Sequence, residues 1–141
     1  MSRTLTLIQN GWETARAIAT LAIQTGGRKS DALARLEMLL ARPDVPADIL
    51  APARRLAGEL ALALGRYAVA RRHLRASAPP ESAEATNLVA AQVCFLLGRA
   101  WEEDPDGCDR RAAVAFRRAV RLDGDNALYL ARFGLAAARC G

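Results

Sequence analysis

Apolar residues recur along most of the chain at the three- and four-residue spacing of a helix face. Leu33, Leu36 and Leu40 are one example, and this spacing is typical of an amphipathic α-helix. Valine, isoleucine and threonine are too sparse to indicate a sheet. The pattern therefore predicts an all-α fold of seven antiparallel helices joined by short turns rich in glycine, proline and aspartate. The predicted helices cover about residues 11–25, 30–41, 52–64, 66–76, 81–103, 109–122 and 126–140.

Two signals compete at the start of the first helix. Asn10 and Glu13 have the spacing of a capping box, and the pair Asn10-Gly11 favours a break in the helix. Leu5 and Ile8 extend the same apolar stripe upstream, which favours an earlier start. We predict a start near residue 11 and leave the conformation of residues 1–10 open. The third helix is predicted to begin at Pro52, because proline is tolerated in a first helical turn.

Three glycines, Gly58, Gly98 and Gly134, lie inside predicted helices, 40 and 36 residues apart. A glycine in a helix interior costs about 1 kcal/mol relative to alanine. Its recurrence in similar surroundings predicts that another helix approaches closely at each position. A helical repeat is the architecture that would need such an approach several times.

The residues around these glycines resemble the tetratricopeptide repeat, a helix–turn–helix family with a 34-residue unit. The clearest match is residues 107–126, in which Ala112 and Ala119 bracket the large Phe116 on one helical face. In the preceding unit Gly58 and Ala70 fit the pattern. The matched units are residues 13–45, 51–84 and 91–126, followed by a capping helix over residues 126–140.

The resemblance implies a single domain over residues 1–141, wound as a short right-handed solenoid with a solvating last helix. The first helix of each unit would line a concave groove that holds a peptide or helix of another protein. An alternative is that some of the groove positions pack against the long fifth helix. The groove positions are Arg55, Glu59, Leu62, Gln92, Phe95, Arg99, Glu102, Leu128, Ala131, Arg132, Leu135 and Arg139.

The chain carries a formal net charge of +5, and Lys29 is the single lysine among its 20 basic residues. Arginine-rich composition is expected of a GC-rich genome, but it also suits an acidic or anionic partner. Aromatic residues for base stacking are scarce on the basic helices, so a solvated face is preferred over nucleic-acid binding. The basic helices carry Arg66, Arg71, Arg72, Arg75, Arg110, Arg111, Arg117, Arg118 and Arg121.

No arrangement of residues indicates catalysis, a cofactor or a metal. His73 has no serine or cysteine at a plausible spacing. Cys94, Cys108 and Cys140 form no C-x-x-C motif, and the acidic residues 102–109 lack the order of a calcium loop. The odd cysteine count, with no signal-like N-terminus and no long apolar stretch, predicts a cytoplasmic protein without a membrane span.

The sequence thus predicts a small bacterial-type adaptor or chaperone that binds another protein, whose identity the residues do not reveal. One alternative is a structural subunit that forms a homo-oligomer or docks into a larger assembly. Another is an arginine-mediated binder of anions or nucleic acid. An enzyme is not expected.

Overall fold

A computed structural model describes residues 2–78 and 87–141, and all regular structure in these residues is α-helical. The all-α prediction is therefore confirmed. The helices in the described residues are α1 (Arg3–Thr25), α2 (Lys29–Leu40), α3 (Ala47–Ala63), α4 (Tyr67–Ser77), α5 (Leu88–Glu102), α6 (Asp109–Leu122) and α7 (Ala127–Arg139).

Helix α1 begins eight residues before the predicted start. Ser2 caps it, because its Oγ accepts a hydrogen bond from the backbone N–H of Leu5 at 3.1 Å. The predicted break and capping box at Asn10 are therefore wrong, and Asn10 lies inside the helix. Ile8 is buried in the core beside Trp12. Burial of this apolar stripe outweighs the turn preference of the Asn10-Gly11 pair.

Helix α3 also begins earlier than predicted, at Ala47, so Pro52 lies in its second turn instead of its first. The carbonyl of Pro46 accepts hydrogen bonds from the N–H groups of Ile49 and Leu50, both at 3.0 Å. Pro52 has no N–H to offer the carbonyl of Asp48, which costs the helix one bond. Burial of Ile49 against the core accompanies the earlier start.

Helix α5 begins at Leu88, where Asn87 is its N-cap. The Oδ1 atom of Asn87 accepts from the N–H groups of Val89 and Ala90, both at 3.1 Å. The predicted start at residue 81 falls in residues 79–86, outside the described part of the chain.

Neighbouring helices form the main packing contacts. α5 packs most extensively on α6, α3 on α4, and α7 on α6, while α3 also contacts α1 and α5. The helices thus form the hairpins α1–α2, α3–α4 and α5–α6, with α7 as a single last helix. The first helices of the hairpins adjoin one another, which brings their side chains onto a common face.

The described residues form two hydrophobic clusters that share α5. A mainly aliphatic cluster joins α1 to α5 and contains the fully buried Leu36, Leu60 and Leu74. An aromatic cluster joins α5, α6 and α7. The ring centre of Phe95 lies 4.7 Å from the ring centre of Tyr129 and 5.6 Å from that of Phe116. Helix α5 is therefore buried on two sides.

The three helical glycines do not share one environment. A Cβ atom placed on Gly58 would lie 2.6 Å from Cγ of Leu74, and one on Gly98 would lie 2.5 Å from Cδ1 of Phe116. The expected close approach is thus present at these two positions. A Cβ atom on Gly134 would meet no atom of residues 2–78 or 87–141 within 4 Å, so the predicted close approach is absent there among these residues. The predicted scaffold residues Ala70, Ala112, Phe116 and Ala119 are all fully buried.

Candidate protein-binding site

The first-helix face is the surface formed by the groove residues of α3, α5 and α7. At its α3 end, Glu59 borders a cavity of about 250 Å³, together with Lys29 and Arg99. Burial raises the pKa of Glu59, and the positive charges of Arg55 and Arg99 partly offset this. The structure therefore brings Arg55, Glu59 and Arg99 close together. The remaining residues around the cavity, Ile23, Leu62 and Ala63, are apolar.

Glu102 is the centre of an ion-pair cluster that ties α5 to α7. Its side chain is only 9% exposed and pairs with both Arg132 and Arg139, the latter at 3.0 Å between Nη1 and Oε2. Arg139 also lies 3.8 Å from Oδ1 of Asp109. The charges predicted to meet a partner on α7 are therefore already engaged within the chain.

Two other predicted groove residues on α5 have internal contacts. The guanidinium Nε of Arg99 donates to Oε2 of Glu103 at 2.7 Å, one helical turn away. Phe95 is only 8% exposed because it packs on Tyr129 and Phe116. The prediction that Phe95 contacts a partner is therefore wrong, because its ring forms part of the aromatic cluster. Gln92 is half-buried beside it.

Exposed apolar residues of the first-helix face are concentrated on α7. Leu128 is 54% exposed and Leu135 is 57% exposed. They are seven residues apart, which is about two helical turns, so both side chains lie on one face of α7. These two leucines, with the exposed Ala131 between them, form an apolar part of the predicted groove that a partner could cover.

The arginine-rich surface of α4 and α6 has a structural role that the sequence analysis missed. The guanidinium carbons of Arg71, Arg111 and Arg75 lie 4.1, 5.0 and 5.5 Å from the ring centre of Trp101. Arg71 also donates to the carboxylate of Asp104 at 2.7 Å and to the carbonyl of Ala100 at 3.0 Å. The hydrogen bond from Arg71 lowers the pKa of Asp104.

An apolar groove between α1 and α2 was not anticipated either. Two cavities of about 880 and 630 Å³ lie along it and share Arg35 and Met38. Leu7, Leu21 and Met38 are exposed there. A signal was present in the sequence, because Leu7 and Leu21 lie on the face of α1 that is not occupied by Trp12 and Ala19.

The last helix has a second exposed apolar side, the terminal face, formed by Ala127, Leu130, Gly134 and Ala138. All four residues are exposed, and Leu130 is 47% exposed. The two charged residues of α7 are Arg132 and Arg139, which Glu102 holds. A solvating helix needs a polar outer side, so the prediction that α7 acts as one is wrong.

No protein-family model matches the chain, and no curated protein matches it either. In the described residues, no helix is long and apolar enough to cross a membrane. The same residues contain no cluster of histidine, cysteine and acidic side chains arranged to hold a metal ion.

Proposed function

We propose that the chain is a tetratricopeptide-like protein-interaction module, an adaptor or chaperone that holds a segment of another protein on its first-helix face. The observation that carries this proposal is the exposure of Leu128 and Leu135 beside a set of internally paired charges. A monomer gains nothing from two exposed leucines in a row on one face, whereas burial of apolar side chains drives protein association.

The charge arrangement supports an apolar contact over an ionic one. Arg99, Arg132 and Arg139 already have carboxylate partners in the chain. A ligand that took those arginines would leave partly buried Glu102 unpaired, which is costly. The preferred ligand is therefore an extended or helical segment that places apolar side chains on Leu128 and Leu135.

We also place this activity in a reducing compartment such as the cytoplasm. Support comes from the cysteines, because Cys94, Cys108 and Cys140 are all free thiols. Cys94 is buried, and burial raises the pKa of its thiol.

The test uses peptides selected against the whole chain from a displayed random library, with affinities measured by fluorescence anisotropy. Leu135→Glu should weaken the selected peptides by at least about tenfold, because buried interface positions of this kind cost more than about 1.4 kcal/mol. Leu135 is exposed, so this change leaves the core intact.

Val114→Glu is the matched control, because Val114 is equally exposed but lies on α6, outside the first-helix face. It should leave the affinities unchanged. If the library yields no peptide, or if the selected peptides bind Leu135→Glu as tightly as the unchanged chain, the first-helix face is not the binding surface.

A further inference from the structure

Four arginines of α4 and α6 meet at one cavity beside the end of α5. The cavity has a volume of about 560 Å³, and the side chains that give it its chemistry are Arg71, Arg72, Arg75, Trp101 and Arg111. The guanidinium carbons of three of these arginines lie 4.1, 5.5 and 5.0 Å from the ring centre of Trp101. Because each distance is at most 5.5 Å, any two of the three carbons lie within about 11 Å of each other. Side chains from two helices thus converge on a single point.

The cavity carries more positive charge than the described residues neutralise. Asp104 pairs with Arg71 at 2.7 Å, and no other ion pair within residues 2–78 and 87–141 involves the four arginines. Four positive charges therefore meet one negative charge, which leaves an excess of three. Positive charges gathered in a cleft repel one another and raise the local concentration of anions. An anion is thus the ligand that this cavity favours.

The guanidinium groups are also held in place by the fold itself. Trp101 contacts three of them through cation–π interactions, which leave most of the five N–H donors of each arginine available. Arg71 is fixed further by its hydrogen bonds to Asp104 and to the carbonyl of Ala100. A ligand that binds ordered arginines loses less free energy to side-chain ordering than one that binds mobile side chains.

The convergence of the arginines favours a compact ligand of high charge. A carboxylate has one negative charge and two oxygens, which suit the fork of one arginine. A phosphate group carries about two negative charges near pH 7 and three terminal oxygens, so it can accept from several guanidinium groups at once. A diphosphate supplies two such groups and matches the excess of three positive charges best.

Nucleic acid fits the cavity less well. Single strands bind with their bases stacked on aromatic side chains. Trp101 is the only aromatic residue among the described residues that line the cavity, and guanidinium groups already contact its ring. A base would have to displace these arginines, which are the groups that attract the phosphates.

We propose that this cavity, the Trp101 site, binds the diphosphate group of a small molecule. Arg72, Arg75 and Arg111 donate hydrogen bonds to the phosphate oxygens, while Trp101 positions the guanidinium groups. No residue of the first-helix face lines the cavity. The Trp101 site is therefore separate from the surface of the proposed function.

The test is isothermal titration calorimetry of the full-length chain with inorganic pyrophosphate, at 0.15 M salt to screen diffuse attraction. We expect one saturable site with a Kd below about 1 mM. Arg75→Gln combined with Arg111→Gln should weaken binding at least about tenfold, because charged hydrogen bonds to the ligand are lost. Both arginines are exposed, so the circular dichroism spectrum should stay that of the unchanged chain.

Arg117→Gln combined with Arg121→Gln is the matched control. It removes the same charge from exposed positions of α6 that do not line the cavity. Its affinity for pyrophosphate should stay within about threefold of the unchanged chain. The proposal is overturned if the unchanged chain shows no saturable binding. It is also overturned if the two double variants are weakened equally, because binding then follows net charge alone.

Further titrations exclude other occupants of the Trp101 site. Oligothymidylate of about ten nucleotides and hexaglutamate should each bind more weakly than pyrophosphate. Tighter binding of either would make nucleic acid or an acidic protein segment the occupant, and would overturn the proposal. The same holds for light scattering that shows self-association abolished by the Arg75 and Arg111 variant, because a second copy is then the occupant.

The acidic residues Glu81 and Glu84 fall in residues 79–86, outside the described part of the chain. Glu81→Gln combined with Glu84→Gln should therefore change the affinity for pyrophosphate by less than about threefold. A larger gain would show that carboxylates of the chain itself occupy the site, which contradicts the proposal.

The Trp101 site and the first-helix face can fail separately. Peptides selected for the first-helix face should bind the Arg75 and Arg111 variant normally. Leu135→Glu should bind pyrophosphate within about threefold of the unchanged chain. Loss of pyrophosphate binding in Leu135→Glu would place the ligand on the first-helix face and reject the Trp101 site, whatever the outcome for the peptides.

Discussion

Gly98 of the α5–α6 hairpin and Gly134 of the single helix α7 lie at equivalent positions, 36 residues apart, but in opposite surroundings. Gly98 is buried under the ring of Phe116, whereas Gly134 has no described residue against its Cβ position. The small residue permits a close approach in both helices, but a second helix is present in only one. A glycine in a helical sequence therefore indicates that a surface can be approached, and the three-dimensional structure shows whether it is.

The same contrast extends to the contacts that hold the two helices in the fold. Helix α5 belongs to both hydrophobic clusters, while α7 buries Tyr129 and Ala136 on one side only. Its attachment is completed by the pairs of Glu102 with Arg132 and Arg139. Helix α7 is thus held to the rest of the chain by a smaller apolar contact and a charge cluster.

The largest expected effect is that of Gly98→Leu. Helix propensity returns only about 1 kcal/mol, whereas a side chain forced against Phe116 overpacks the core and costs about 1–3 kcal/mol or more. Urea unfolding followed by circular dichroism should show a net loss of stability. The same substitution at the equivalent open position, Gly134→Leu, should cause no loss. Equal losses at the two positions would remove the contrast between the helices.

A smaller effect, of about 1 kcal/mol, is expected from Glu102→Gln, which removes the carboxylate that holds two arginines of α7. Hydrogen exchange followed by mass spectrometry should show faster exchange in α7 and little change in α3 and α4. Glu103→Gln serves as the control, because Glu103 pairs with Arg99 of the same helix end, four residues earlier. Unchanged exchange in α7 would mean that the apolar contact alone holds the helix.

A gain of about 0.5–1 kcal/mol is expected for Gly134→Ala, because alanine restricts the unfolded chain and the added methyl meets no atom in the part of the chain that the structure describes. The same change at Gly98 should be destabilising, since its Cβ would lie 2.5 Å from Phe116. Thermal unfolding of the two variants measures both changes in stability. A gain at both positions would show that Phe116 moves aside without cost.

The smallest expected effect is a dependence of stability on pH that arises from His73 in α4, outside the two helices compared above. Burial lowers the pKa of His73, and the nearby Glu37 carboxylate partly counters this. The unfolded chain therefore takes up a proton first as the pH falls below about 6.5, so the stability contributed by neutral His73 is lost there. His73→Gln should flatten the decline between about pH 7 and 5 in a series of urea unfolding curves. An unaltered slope would assign the decline to other groups.

Local patterns predicted much of the helical structure. Helix α6 has the predicted bounds, because Ala112, Phe116 and Ala119 lie on one face and turns flank it on both sides. The starts of α1 and α3 were misplaced, since Asn10-Gly11 and Pro52 are local signals that burial of Ile8 and Ile49 overrides. Tertiary packing decides such boundaries, and no window of sequence contains it.

The candidate site was predicted less well, because its residues depend on contacts about 30 positions apart in sequence. Glu102 with Arg132, and Arg71 with Asp104, are pairs of this kind. The resemblance placed Glu59 and Arg99 on one surface, and they border the same cavity, but it could not show that Phe95 faces the aromatic cluster. Nor could it show that α7 lacks a polar outer side, which becomes visible once the buried side of that helix is known.

The packing of each helix on the next one in the sequence also has a consequence for how the chain folds. Most contacts join residues that are close in sequence, and chains with such contacts fold in microseconds to milliseconds. The hairpins can form first, each with little loop entropy to overcome, and then dock through shared helices such as α5. Helix α7, which buries residues on one side only, should in turn detach before the hairpins when the described residues unfold.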